Sequence, residues 1–166
     1  LRRQRQMCIR DRYISMHGKA IGKLLPIRDV NVERQRKQIE LSEDDVACLY
    51  MAKKIINAKL HNEVVYSKRL YRADRDMEIE ESIKAIHNYC GCIVQAKSIN
   101  EVIGYEGLAA RCYFKIISAF LPQGCKIERR TKNPPLDPTN SLLSLAYTLL
   151  HSEIFTALEA SGLHPY

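Results

Sequence analysis

Nothing in the 166-residue sequence approaches the roughly 18 uninterrupted apolar residues that a membrane span needs. Its first residues are charged and lack the apolar h-region of a secretory signal, which points to a cytoplasmic protein. No internal repeat or low-complexity block is present, which sets aside solenoids and fibrous arrays. Six cysteines occur, yet Cys90-Gly91-Cys92 is not a CxxC pair and no second pair stands at zinc-like spacing. A structural zinc site is therefore not expected, and an intracellular composition favours reduced thiols. After residue 25 no strand pattern recurs, so the body of the chain is expected to be helical.

Charge is present but uneven. The whole chain carries +7, of which residues 1–37 hold +8 and residues 38–166 hold −1. The overall basicity therefore belongs to the N-terminal stretch. Residues 1–12 have five arginines and no periodicity, and are left unassigned as a basic tail, artefactual or real. Tyr13 to Leu25 reads as two short strands joined at His17-Gly18. A lone hairpin is not stable, so it is expected to be the remnant of an N-terminal β domain, followed by a polar linker to about residue 38.

Residues 39–166 read as a helical domain. Ser42, with Glu43, Asp44 and Asp45, reads as the start of a helix running to about Arg72. Its apolar stripe is Val46, Leu49, Ala52, Ile56, Leu60 and Val64, and Lys53, Lys54 and Lys68 lie on the other face. Asp76 caps a second helix, 77–96, with Ile79, Ile83, Ile86, Cys90 and Ile93 inward. Ser98 with Glu101 opens a third, 99–121. After a long loop from Pro122 to Thr139, Asp137 caps a fourth helix, 138–160, with Pro138 in its first turn and Gly162 beyond its end. Leu142, Leu145, Leu149 and Leu158 give that helix a broad apolar face.

The third helix is unusual. Val102, Tyr105, Ala109, Cys112, Ile116 and Phe120 recur at spacings of 3, 4, 3, 4 and 4, marking a buried face. Gly104 and Gly107 sit inside the pattern, each costing roughly 1 kcal/mol against alanine. Between them lies Glu106, at the margin of the face. Two readings follow: a metal ligand or acid/base carboxylate, or a surface glutamate on a helix whose glycines permit close packing. In the long loop, Arg129, Arg130 and Lys132 beside Pro134-Pro135 make a stiff basic segment suited to phosphate.

Gly104-Tyr105-Glu106-Gly107-Leu108-Ala109-Ala110, then Arg129-Arg130, Asn133-Pro134-Pro135-Leu136-Asp137-Pro138 with Asn140, Tyr147-Thr148-Leu149-Leu150, and Ser161-Gly162-Leu163 with Pro165-Tyr166, stand in order. Upstream lie Ala52-Lys53-Lys54-Ile55-Ile56 and Lys59-Leu60-His61-Asn62. This pattern, over roughly residues 14–166, resembles the CRISPR-associated spacer-acquisition integrase, the first of the universal Cas proteins.

The resemblance implies a fold, mainly α, in which the helical domain of that integrase follows the last β-hairpin of an N-terminal β domain. It implies a metal-dependent endonuclease and integrase, in defence against foreign DNA, that inserts spacers into CRISPR arrays by transesterification with Mg²⁺ or Mn²⁺. The implied partners are prespacer and repeat DNA, a second copy of the chain, and a small ferredoxin-like Cas protein. Glu106 matches the catalytic, metal-holding glutamate. Arg129, Arg130, Lys132, Lys53 and Lys59 are the expected DNA contacts. The family's metal histidine follows the GL-x-P-Y motif and its acidic ligand lies further on, beyond Tyr166. The 166-residue chain is therefore expected to be inactive, with no second carboxylate or histidine converging on Glu106. Glu63 stands where the family often has glutamine, with little expected consequence. The alternatives are a transposon-encoded integrase of the same superfamily and a non-catalytic helical interaction module.

Overall fold

In the computed structural model the described residues are 12–14, 16, 20–23, 31–72, 76–127, 129–131 and 134–165. They form two short strands and five helices: β1 (Arg12–Ile14), β2 (Ala20–Lys23), α1 (Val32–Ser42), α2 (Asp45–Tyr71), α3 (Met77–Gln95), α4 (Ile99–Ala119) and α5 (Pro138–Ala160). The chain is mainly helical, as the apolar periodicity predicts. β1 and β2 pair antiparallel, with Tyr13 opposite Gly22 and an irregularity after Tyr13. The proposed turn at His17-Gly18 and the basic tail 1–11 lie outside the described residues.

The chain divides into two compact units: Ser42–Leu142, and Leu1–Leu41 with Leu143–Tyr166. The first contains α2, α3 and α4, which pack pairwise. Its core is Leu60 and Val64 from α2, Ile79, Ile83, Ile86 and Ile93 from α3, and Val102, Ala109 and Ile116 from α4. Leu49, Ala52, Ile56, Cys90, Tyr105, Cys112 and Phe120 pack on it, part-buried. These are the residues of the three predicted stripes, save Val46, which is exposed. Each fully buried aliphatic side chain contributes about 1.5–3 kcal/mol. Tyr105 stacks on Tyr89 of α3 with centroids 6.4 Å apart, which fixes the rotation of α4 one residue before Glu106.

The helix ends follow local chemistry. The Asp76 carboxylate accepts the Glu78 amide at 2.7 Å. Ser98 Oγ accepts the Glu101 amide at 3.2 Å. Glu101 in turn accepts the Lys97 amide at 2.8 Å, one residue earlier than a capping box requires. Asp137 caps α5 through the Asn140 amide at 2.7 Å.

Two boundaries differ from the sequence reading. Ser42 ends α1 rather than starting α2, and the N-cap of α2 is Asp44, which accepts from the Val46 and Ala47 amides. The expected linker before residue 38 largely becomes α1. That helix has no buried residue and is held locally, by Arg36–Glu40 at 3.0 Å and Lys37–Glu33 at 3.1 Å. Such i,i+4 pairs leave no apolar signature to find.

In the second unit α1 meets the end of α5. Gln38 Oε1 accepts the His164 amide at 2.8 Å, and Gln38 Nε2 donates to the His164 carbonyl at 2.7 Å. Gly162 has φ of 71°, and the Leu163 amide closes on the Leu158 carbonyl at 3.0 Å. A Cβ at Gly162 would sit 3.0 Å from Asn31 Cβ, so the position suits glycine on both counts. The apolar face of α5 is exposed at Leu142, Leu145, Leu149, Leu150 and Ile154. By length and composition alone α5 passes as a membrane span, although Ser144, Thr148, His151 and Ser152 interrupt its apolar run.

Candidate active site and nucleic-acid groove

α4 projects Glu106 toward α2. The Lys59 ammonium donates a hydrogen bond to Glu106 Oε1. One turn along α2, Glu63 Oε1 lies 3.9 Å from the same ammonium. The Glu106 side chain is 26% exposed and that of Lys59 40%. Glu63 is 9% exposed, and its Oε2 has no hydrogen-bond partner. Burial pushes the Glu63 carboxyl above the ordinary carboxylate range; Lys59 pulls it back and the charge of Glu106 raises it again. Another turn on, the fully buried Ser67 Oγ is also unpartnered. Burial likewise raises the Cys90 thiol, with a smaller push from Glu63. The interior between these helices is thus polar at one end.

Against the sequence expectation, a second carboxylate, Glu63, lies near Glu106 and shares the Lys59 ammonium with it. Nor do the glycines serve close packing, because a Cβ at Gly104 or Gly107 would meet no atom within 4 Å.

Gly107 opens onto a groove of about 820 Å³ lined by α4 and the loop that follows it. Arg111, Lys115, Lys126, Arg129 and Arg130 line it, against one carboxylate, Glu78. Glu78 pairs with Lys115 at 2.6 Å, and that partner raises the Lys115 ammonium above its usual range. The sequence analysis missed Arg111, Lys115 and Lys126. The available signal was Gly107, Arg111 and Lys115 at successive i,i+4 positions, one face of α4.

Asn140 staples the basic loop to the first turn of α5. Fully buried, it accepts from Arg130 Nη1 at 2.9 Å and from the Thr131 amide at 3.1 Å. Its Nδ2 donates to the Arg129 carbonyl at 2.9 Å and to Asp137. Arg130 therefore commits Nη1 to the loop, while Arg129 is exposed. Lys132 lies outside the described residues. Lys53 donates to the Val94 carbonyl at 3.0 Å, closing the last turn of α3. The structure thus brings Arg129 and Arg130 to the groove and gives Lys53 and Lys59 partners inside the bundle.

A hard divalent cation takes oxygen donors in fixed geometry. Glu106 and Glu63 fit in donor type and charge, and a positive group, the Lys59 ammonium, already lies against both. Among the described residues no group of three His, Cys, Asp or Glu side chains completes a site. His164 spends its backbone on Gln38, and His151 stands 6.3 Å from the Phe155 ring.

A three-helix core thus sets a part-buried carboxylate beside a cationic groove. The chain belongs to the CRISPR associated protein Cas1 family, whose model matches residues 2–166. It is 33% identical over 134 residues to the CRISPR-associated endonuclease Cas1 of Mycobacterium tuberculosis, covering 80% of this chain and 38% of that protein. It is 31% identical over 154 residues to an endonuclease Cas1 of Methanospirillum hungatei, covering 93% and 42%. The chain therefore spans about two fifths of the length of these relatives. Among solved structures, a partial Cas6-RT-Cas1–Cas2 complex matches with a TM-score of 0.75 at 25% identity, over 93% of this chain and 47% of that one. A Cas1 protein from Thermotoga maritima matches at 0.74 and 21% identity, over 93% and 48%. A casposase bound to integration product matches at 0.70 and 24%, over 94% and 44%. The last two show the fold alone.

Proposed function

We propose that this chain carries the glutamate-bearing helical part of a DNA integrase that inserts spacers into CRISPR arrays. The observation that carries this reading is Glu106, part-buried on α4, one residue from a groove lined by five cations. In the reaction a DNA 3′-hydroxyl attacks a repeat phosphodiester. A new oxygen–phosphorus bond forms, and the repeat's own 3′ oxygen leaves with the electron pair of the broken bond. A Mg²⁺ or Mn²⁺ ion, when bound, supplies charge stabilisation at the attacking and leaving oxygens. Glu106 would hold that ion. Arg111, Lys126 and Arg129 would seat the DNA backbone, since guanidinium and ammonium groups match phosphate oxygens. Lys115 would reach phosphate only by releasing Glu78, and Arg130 lines the same groove while its Nη1 holds the loop. Lys132 keeps its proposed place in the same loop.

The working assembly on this reading includes a second copy of the chain and a small ferredoxin-like Cas partner. Two carboxylates are too few to fix a catalytic ion, so the 166-residue chain by itself should not transfer strands. The test uses the protein extended to the length of its relatives, a labelled DNA 3′ end, a CRISPR repeat and Mn²⁺. Glu106→Ala should remove strand transfer while DNA binding and thermal unfolding stay close to those of the parent. Robust integration by Glu106→Ala would place the chemistry on another residue.

A further inference from the structure

The cationic groove beside Gly107 contains one exception to its charge. Among the described residues Glu78 is the one carboxylate that lines it. Glu78 stands in the first turn of α3 and reaches across to α4, where its Oε1 accepts from the Lys115 ammonium at 2.6 Å. Its backbone is pinned on both sides: the amide donates to Asp76 at 2.7 Å, and the carbonyl accepts from Ser82 Oγ at 2.9 Å. Its side chain is open to solvent, 66% exposed against 58% for Lys115. An ion pair so exposed is weak, because water solvates the separated charges nearly as well. Glu78 keeps a favourable place without the lysine, since a carboxylate in the first turn of a helix meets the partial positive charge of that end. Lys115 lies one turn from Arg111 on the face of α4 that lines the groove. To an ammonium, a carboxylate and a phosphate offer the same partner, an anionic oxygen at hydrogen-bond distance.

We propose that Glu78 is an exchangeable stand-in for a DNA phosphate: it holds Lys115 in the free protein, and a backbone phosphate replaces it on Lys115 when DNA binds. One ion pair is then traded for another. The freed carboxylate gathers cations from solvent as the DNA gives them up, so the exchange adds little affinity and little salt dependence. Glu78 thereby limits how tightly the groove grips, and the other four cations carry the binding. This inference rests on the proposal that the groove seats DNA.

The probe is a labelled duplex DNA, its binding read by fluorescence anisotropy over a series of salt concentrations with the protein extended to the length of its relatives. Glu78→Gln should tighten binding about two- to fivefold, the range an exposed ion pair is worth. The slope of log affinity against log salt should steepen by about 0.9, one further phosphate neutralised. Lys115→Met alone should change affinity by less than about twofold, because it removes both sides of the exchange. Glu78→Gln added to Lys115→Met should bring no gain. Added to Arg111→Ala instead, the gain should persist, since Glu78 holds Lys115 and the two effects are then independent. A Glu78→Gln protein that binds like the parent overturns the proposal. So does a gain that survives Lys115→Met, because Glu78 would then act by plain repulsion of DNA. Replacing Arg111, Lys126 and Arg129 together separates the two levels. Binding that ignores all three refutes the groove as the DNA seat. Binding that needs them, with no Lys115-dependent gain from Glu78→Gln, refutes only the exchange.

Discussion

Around Glu106 three charged side chains turn toward one another between α2 and α4; from Gly107, one residue on, five cations line an open groove. On the inward side Glu63 is buried and Glu106 part-buried, so these charges need a partner within the protein, and Lys59 serves both carboxylates. On the outward side water screens the cations, and the five share a single lining carboxylate, Glu78. Excess positive charge persists where solvent bears its cost, and it stands ready for a polyanion. The same helix thus places a part-buried carboxylate next to a cationic surface without letting the two neutralise each other.

The comparison breaks most completely when the shared support goes. Ile86 of α3 is fully buried in the core that holds α2 and α4 together. Ile86→Ala should cost about 2–5 kcal/mol, read as a lower urea midpoint. Mn²⁺ binding and DNA binding should then fall together along the unfolding curve. A loss well under 1 kcal/mol would mean that α2, α3 and α4 do not form one cooperative core.

How far the sequence reaches is visible in the same elements. The stripes of α2, α3 and α4 were legible because a 3.6-residue period is written into them, and so were the caps at Asp76, Ser98 and Asp137 and the stop at Gly162. The polar helix α1 was not, since surface ion pairs hold it and no buried face marks it. Asp44 rather than Ser42 caps α2 because α1 runs through Ser42, a neighbour effect no local motif records. The place of Glu106 at the margin of the core was legible from the apolar period around it. Glu63 was not, because its meaning comes from which face of α2 docks on α4. Lys53 and Lys59 were expected as DNA contacts for the same reason, and tertiary packing gave both internal partners.

The outward side can be sharpened by salt. Replacing Arg111, Lys126 and Arg129 with alanine should weaken duplex DNA binding across sequences. The slope of log affinity against log salt should flatten by about 0.9 for each phosphate no longer neutralised. Arg130→Ala should behave differently and lower thermal stability as well, because Arg130 Nη1 donates to Asn140 Oδ1 in the loop. An unchanged slope in the triple variant would remove the groove from the DNA interface.

The smallest effect lies at the start of α5, where Asp137 holds Asn140 and so the loop that carries Arg129. Bonds from the Asn140 amide and side chain, with the charge of Arg130 a minor contributor, keep the Asp137 carboxyl below its ordinary 3.8. A carboxylate depressed in the folded state binds its proton more weakly there than in the unfolded chain. It therefore stabilises the fold above pH 3.8, and that stabilisation drains away as pH falls through the lower folded value. Asp137→Asn retains a capping oxygen for the Asn140 amide but turns an amide toward Asn140 Nδ2, and it does not titrate. The variant should melt below the wild type at neutral pH, and the gap should narrow as pH drops below 3.8. Melting temperatures of both proteins from neutrality into acid measure this directly. A gap that stays constant would mean that the cap stabilises α5 through geometry alone, with no contribution from its charge.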